Sequence, residues 1–232
     1  MTGHTVDLIL QQQSAPVSGP VWIATAIIAG WTGRDRAALE KHIEELAALG
    51  VKRPPSVPVF YRASAPRLTT ATSIQVLGEA SSGEVEFVLL QHAGKLWLGV
   101  GSDHTDRDVE TYDVGVSKQM CEKPIAPLWW AFDEVAPHWD RLILRSFIDA
   151  GAGRTLYQEG NVTAMLEPHE LILRYTRGES QVLPEATAMF CGTLAAKGGI
   201  RPAPYFAFEL EDPVLGRKIQ HGYHIIAMPA AR

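Results

Sequence analysis

The sequence predicts a β-rich fold in one main domain with few helices, and three observations carry that reading. From Thr72 onward short apolar runs dominate, "TSIQVLG", "EVEFVLLQ", "KLWLGVGSD", "LILRSFI", "TAMFCGT" and "YFAFELE", set off by Gly, Pro and Ser. Residues 20–30, "PVWIATAIIAG", make an apolar, β-branched run closed by glycine, the pattern of one buried strand. The 232 residues hold no internal repeat and no Gly/Ser-rich linker that would divide them.

Taken in order, residues 1–19 read as an N-terminal extension of a single domain spanning 1–232. A helix should follow the first strand. Thr32 or Asp35 caps it, Leu39, Ile43 and Leu46 share a face, Glu40 and Glu44 lie opposite, and Gly50 stops it. "KRPPSVPVFYR" blocks continuation, since each proline lacks an N–H donor and restricts its predecessor. Later helical interruptions are expected at 127–135 and 168–175, the second opening with proline in its first turn.

With 46% hydrophobic and 20% charged residues the chain has the composition of a soluble globular protein. A net charge of −5 with no basic block gives nucleic acid no electrostatic footprint. No apolar stretch reaches the ~18–20 residues of a membrane span. Residues 1–10 lack the basic head and apolar core of a signal peptide, so a cytoplasmic location is expected. Cys121 and Cys191 have no C-x-x-C partner and read as buried free thiols.

Charge gathers around one apolar run, "GEVEFVLLQHAGKLWLGVGSDHTDRD" (residues 83–108). On a strand, Glu84 and Glu86 share one face while Val85 and Phe87 share the other. Two carboxylates so close repel unless a cation, a proton or solvent intervenes. A hard divalent ion, Mg²⁺, Mn²⁺ or Ca²⁺, would neutralise them, with a third carboxylate from Asp103, Asp106 or Asp108. The alternative is plain: Glu84 and Glu86 line the solvated face of an edge strand, and "HTDRD" is a charged turn.

The order of these motifs resembles the fumarylacetoacetate hydrolase superfamily. "EVEFVLL" matches its strand-opening E-x-E, "DHTDRDVE" its D-x-[TS]-x-R-D stretch, "SKQMCEKPIAP" its lysine before a proline-containing loop, and "CGTLAAKGG" its C-terminal G-T turn. "YQEGN" resembles its Q-x-G-[NS] turn. The resemblance runs from about Val21 to the C-terminal strands and is close to a bacterial branch known mainly as a domain of unknown function. It implies an α+β, β-rich fold with a distorted β-roll core, commonly homodimeric, holding Mg²⁺ or Mn²⁺.

Carried over residue by residue, the resemblance makes Glu84, Glu86 and Asp103 the metal ligands. Lys118 becomes a cation beside the metal, and Thr193 with the Gly192 backbone the holder of a substrate carboxylate. Taken singly, Lys118 also suits a snorkelling surface lysine and Thr193 a turn. Arg107 and Asp108 read as an ion pair bracing their loop, and Asp106 as exposed. His92 and His138 lack ligand spacing, and Trp129 and Trp130 suit core packing.

Hydrolytic members carry a His/Glu pair that activates water, within a "G-x-N-Y-x-x-H" segment and just beyond it. Here "AGWTGRDRAALEKHIEEL" puts Arg36 in the histidine's place, and an arginine that stays protonated cannot serve as an ordinary base. His42 with Glu45 could substitute, although His42 lies ~9 Å of helix rise from Arg36. His104 is a second candidate, although strand alternation turns it from Asp103. In the third and favoured reading no base is needed, and Arg36 binds a second substrate carboxylate. Three functions follow from the resemblance. Hydrolysis of a C–C bond in a small oxo-acid is the superfamily default, decarboxylation or keto–enol isomerisation suits Arg36 better, and a catalytically silent carboxylate binder is the third.

Overall fold

The computed structural model describes residues 3–12, 15–37, 39, 40, 43, 44, 53, 54 and 56–229. In chain order the strands are β1 (His4–Gln11), β2 (Val17–Ile23), β3 (Thr25–Gly30), β4 (Val59–Ala63), β5 (Leu68–Thr69), β6 (Ser73–Leu77), β7 (Ser81–Ser82), β8 (Val85–His92), β9 (Lys95–Ser102), β10 (Thr105–Asp106), β11 (Lys123–Pro124), β12 (Leu128–Ala131), β13 (Ile143–Asp149), β14 (Arg154–Asn161), β15 (Thr187–Thr193), β16 (Tyr205–Asp212) and β17 (Arg217–Met228). Eight form a sheet in the order β2-β1-β12-β9-β8-β15-β3-β4, and five form a second in the order β14-β13-β16-β17-β6. β7 pairs with β10, and β5 with β11.

The centre of the larger sheet is the β8–β9 hairpin. Its turn residues Ala93 and Gly94 both have positive φ (52° and 72°), the conformation whose twist matches the flanking strands. The Glu185 carboxylate accepts both their N–H groups, at 2.7 and 3.2 Å. Alternation along β8 sends Val85, Phe87 and Leu89 into a core shared with Leu144, Phe206, Phe208 and Leu210 of the second sheet. Val88 and Leu90 face the other way, into a core held within the curl of the larger sheet with Leu8, Ile23, Ala188 and Trp129. Both faces of β8 are therefore covered, and each large apolar side chain buried there contributes ~1.5–3 kcal/mol. Trp129 and Trp130 are both fully buried and fill opposite cores. A Cβ at Gly99 would lie 2.6 Å from the Trp129 ring, so that close approach requires glycine.

One side chain stitches the sheets together. Gln158, on β14 of the second sheet, is buried. Its Oε1 accepts the Val85 N–H (3.0 Å) and the Ser146 hydroxyl (2.8 Å). Its Nε2 donates to Thr193 Oγ1 (2.9 Å) and Leu194 O (2.6 Å). Every hydrogen-bonding position of the amide is used.

Four expectations need correction. The stretch expected to be an N-terminal extension joins the main sheet through His4–Gln11 and the start of Val17–Ile23. The run 20–30 is not one strand. Both Ala24 and Thr25 donate to Ala186 O, and the chain turns there from its β1 pairing to its β15 pairing. Residues 128–131 form β12, parallel to β1 and antiparallel to β9, with only Phe132–Val135 helical. A short apolar run does not separate strand from helix by periodicity. The E-x-E stretch opens a central strand, not an edge.

Pro168–Tyr175 is a helix as expected. Helical residues begin at 36, with Asp35 Oδ1 accepting the Ala37 N–H and Ile43 buried. Leu46 and Gly50 lie outside the described residues. Cys121 and Cys191 are buried free thiols. Among the described residues no helix is long and apolar enough to cross a membrane.

Replacing Gln158 by leucine keeps the volume but strands the buried Val85 N–H and removes all four contacts. Urea denaturation should show a loss of roughly 2–4 kcal/mol. A change below about 0.5 kcal/mol would mean the clamp is dispensable.

Candidate metal centre

The hairpin's open end assembles the acids. β8 and β9 pair through Val85 and Ser102, and one step further the Asp103 N–H donates to Glu84 O at 3.0 Å. Glu84 and Asp103 are thereby held opposite each other, and alternation places Glu86 on the same face as Glu84. Each of the three offers one carboxylate oxygen, and these lie within 4.8 Å of one another. Glu86 and Asp103 are buried, with Glu84 at 16% side-chain exposure.

Glu86 is oriented by the main chain. The register of β15 against β8 shifts between Phe190 and Thr193, and within that bulge Gly192 (φ +97°) donates its N–H to Glu86 Oε2 at 2.7 Å. A Cβ at 192 would sit 1.8 Å from Thr32 Oγ1, so only glycine fits. The Thr32 hydroxyl donates to Cys191 O at 2.9 Å, tying the chain beyond β3 to the same bulge.

The cations arrive on two capped helices and one short strand. Asp106 Oδ1 accepts the Val109 N–H and caps the helix Arg107–Tyr112, and Asp113 Oδ1 accepts the Val116 N–H and caps Val114–Met120. From the second helix Lys118 Nζ reaches Asp103 Oδ2 (2.6 Å), Glu110 Oε1 (3.3 Å) and Glu84 Oε2 (3.7 Å). Lys123, on β11 and fully buried, places Nζ 2.9 Å from Asp103 Oδ1 and donates to His104 O. Arg107 Nη1 bridges Glu84 Oε1 (3.2 Å) and Glu110 Oε2 (2.8 Å), while its Nε donates to Ser82 Oγ.

The electrostatics follow from this packing. Burial pushes the Asp103 carboxyl up, but Lys118 and Lys123 overcome it and hold the group well below the usual carboxylate range. Burial opposes the Lys118 ammonium, and Asp103, Glu84 and Glu110 more than offset that. Glu86 differs. Burial, then Asp103 and Glu84, push its carboxyl well above the usual range, with the Gly192 N–H opposing only in part. Lys118 and Lys123 ion-pair with Asp103, whereas among the described residues no lysine or arginine ion-pairs with Glu86 and Lys118 offsets its burial only in part, so the donor set fits a hard divalent ion.

The residues expected from sequence fare unequally. Glu84, Glu86, Asp103 and Lys118 come together. Gly192 and Thr193 do not present free donors to a carboxylate. The Gly192 N–H is committed to Glu86, and the Thr193 hydroxyl donates to Val85 O while accepting from Gln158. Arg36 is exposed, and His42 and Glu45 lie outside the described residues. His104 turns from the triad, its two ring nitrogens on Tyr223 OH (2.8 Å) and Ser81 Oγ (2.9 Å), and burial lowers it to about 3. Arg107 pairs with Glu84 and Glu110 rather than with exposed Asp108, and Asp106 is a buried cap rather than a surface acid. His138 hydrogen-bonds to buried Asp212.

Two residues at the centre escaped the sequence reading. Lys123 stands directly before Pro124, a position as suggestive as that of Lys118. Glu110 lies three residues after Arg107, at helical pairing distance.

Residues 29–223 match the family described as "Protein of unknown function (DUF2848)". No curated protein matches significantly. Similar solved structures include Cg1458 with inhibitor, at 15% identity over 93% of this chain and 81% of that one, with a TM-score of 0.66. A second is 2-keto-3-deoxy-D-arabinonate dehydratase complexed with magnesium and 2,5-dioxopentanoate, at 15% identity over 94% and 79%, TM-score 0.62. A third is ynq8 of yeast, a fumarylacetoacetate hydrolase family protein, at 14% identity over 90% and 95%, TM-score 0.61. At such identities the likeness speaks for the fold, and the expected β-rich, fumarylacetoacetate-hydrolase-like architecture is the one observed. With the family match spanning most of its length, the chain belongs to the DUF2848 family, carried on a fumarylacetoacetate-hydrolase-like fold.

Proposed function

We propose that the protein is a divalent-metal-dependent enzyme acting on a small oxo-acid or related carboxylated substrate. The observation that carries this reading is the convergence of Glu84, Glu86 and Asp103, with ligand oxygens within 4.8 Å of one another beside the buried Lys118 ammonium. These three carboxylates would hold Mg²⁺ or Mn²⁺, and Ca²⁺ suits the same oxygens. When bound, the ion supplies Lewis-acid polarisation of a substrate carbonyl. A fold relative complexed with magnesium and an oxo-acid supports both cofactor and substrate class.

The chain's own groups then have distinct tasks. Gly192 fixes the Glu86 rotamer and Arg107 fixes Glu84, so two ligands are oriented before substrate arrives. Lys118 holds positive charge beside the triad, in a site largely closed to water. Lys123 holds Asp103 in place from the opposite side.

Hydrolysis of a C–C bond needs a base to activate water. Among the described residues no histidine hydrogen-bonds to Glu84, Glu86 or Asp103, and His104 is engaged elsewhere. A second reading is decarboxylation or keto–enol isomerisation on the same metal site, which draws on charge stabilisation at the carbonyl and suits Arg36 standing where hydrolytic members carry histidine.

Mg²⁺ or Mn²⁺ at about a hundred times its dissociation constant should raise the melting temperature by roughly 5–10 °C. Glu86→Gln should fold yet lose that response. A parental response in the variant would remove Glu86 from the ligand set.

A panel of 2-oxo and β-dioxo acids, assayed with Mn²⁺ in ¹⁸O-labelled water, separates the chemistries. Carbon dioxide release or solvent-proton exchange without ¹⁸O in a new carboxyl group is the expected result. Incorporation of ¹⁸O into a cleaved product would establish hydrolysis instead.

A further inference from the structure

Lys118 lies among three carboxylates at once, and only two of them belong to the triad. Its Nζ is 2.6 Å from Asp103 Oδ2, 3.7 Å from Glu84 Oε2, 3.3 Å from Glu110 Oε1 and 3.2 Å from Thr105 Oγ1. Glu110 is more exposed than the triad, at 27% of its side chain, and is anchored by Arg107. Among the described residues Lys123 ion-pairs with no second acid, being fully buried and held by Asp103 and the His104 carbonyl. The two lysines that share Asp103 are therefore unlike: one ion-pairs with Asp103 only, and the other contacts both the triad and a more exposed acid.

A divalent ion and an ammonium that draw on the same two carboxylates repel each other strongly at this range. Lysine carries its charge as a point on a four-carbon stem that swings by rotamer changes. We propose that Lys118 competes with the divalent ion for Glu84 and Asp103, and that metal binding transfers its ammonium onto Glu110. The pair Lys118–Glu110 then sets metal affinity, with Glu110 as the acceptor for the displaced charge. This rests on the metal reading of the triad and adds a device that tunes it.

The test is Mn²⁺ binding alone, followed by the electron paramagnetic resonance signal of free Mn²⁺ with the full chain. Lys118→Met should bind Mn²⁺ at least roughly tenfold more tightly than the parent, because the competing charge is gone. Glu110→Gln should bind about threefold or more weakly, because the displaced ammonium loses its acceptor. In the double variant the Glu110 effect should vanish. Lys118→Gln, which keeps a polar tip for Asp103, replaces the methionine variant if that one does not fold.

Unchanged or weaker binding in both Lys118 variants overturns the competition. A Glu110→Gln loss that persists in full without Lys118 overturns the transfer, since it would reflect only the through-space charge of Glu110. A parent that binds no Mn²⁺, or Glu86→Gln binding it as the parent does, brings down the metal reading itself. That failure is distinct from a bound metal indifferent to Lys118.

Discussion

Buried negative charge is the constraint around which this molecule is arranged. Two like charges about 4 Å apart repel by roughly 4 kcal/mol at an effective dielectric of 20, and the triad holds three acids in a place with little water. Lys118, Lys123 and Arg107 ion-pair with Glu84, Asp103 and Glu110, and among the described residues no cation ion-pairs with Glu86, whose carboxyl stays well above the usual range. The segment after β9 reflects this. Two short helices, started by the side chains of Asp106 and Asp113, bring Arg107, Glu110 and Lys118 back over the hairpin. β11 then returns through the interior to deliver Lys123. Without that charge to balance, burying two lysines would be strongly unfavourable.

The acids were legible in sequence because their placement is local. Strand alternation alone sets Glu84 beside Glu86, and a hairpin brings Asp103 back to Glu84. The cations were less legible, since which lysine reaches Asp103 depends on how the chain packs after leaving the sheet. The family resemblance picked out Lys118 and passed over Lys123, and both reach Asp103. Arg107 seemed a partner for its neighbour Asp108 and in fact looks across to Glu84, a tertiary choice that adjacency hides. Asp106 read as exposed for the same reason, although an acid three residues before a helical N–H is a cap signal.

The architecture was legible in kind and less so in detail. Punctuated apolar runs correctly indicated a β-rich chain, yet the run 20–30 hides a corner, and its two halves join different strands. Gln158 shows the same limit from another side. The Q-x-G-[NS] resemblance marks Gln158 as part of a turn but not as buried, and here its one amide spans two sheets at the foot of the strand that bears Glu86. Stability and site geometry are therefore not separable at that point.

The bulge in β15 carries a consequence of its own. By stepping out of the ladder, one peptide unit stops serving the pleat and serves an acid instead. Its donor belongs to the backbone, so no side-chain rotamer sets its aim. Glu86 thus inherits its pose from strand geometry, and that pose hangs on a position where φ of +97° and the neighbouring Thr32 hydroxyl leave no room for a side chain.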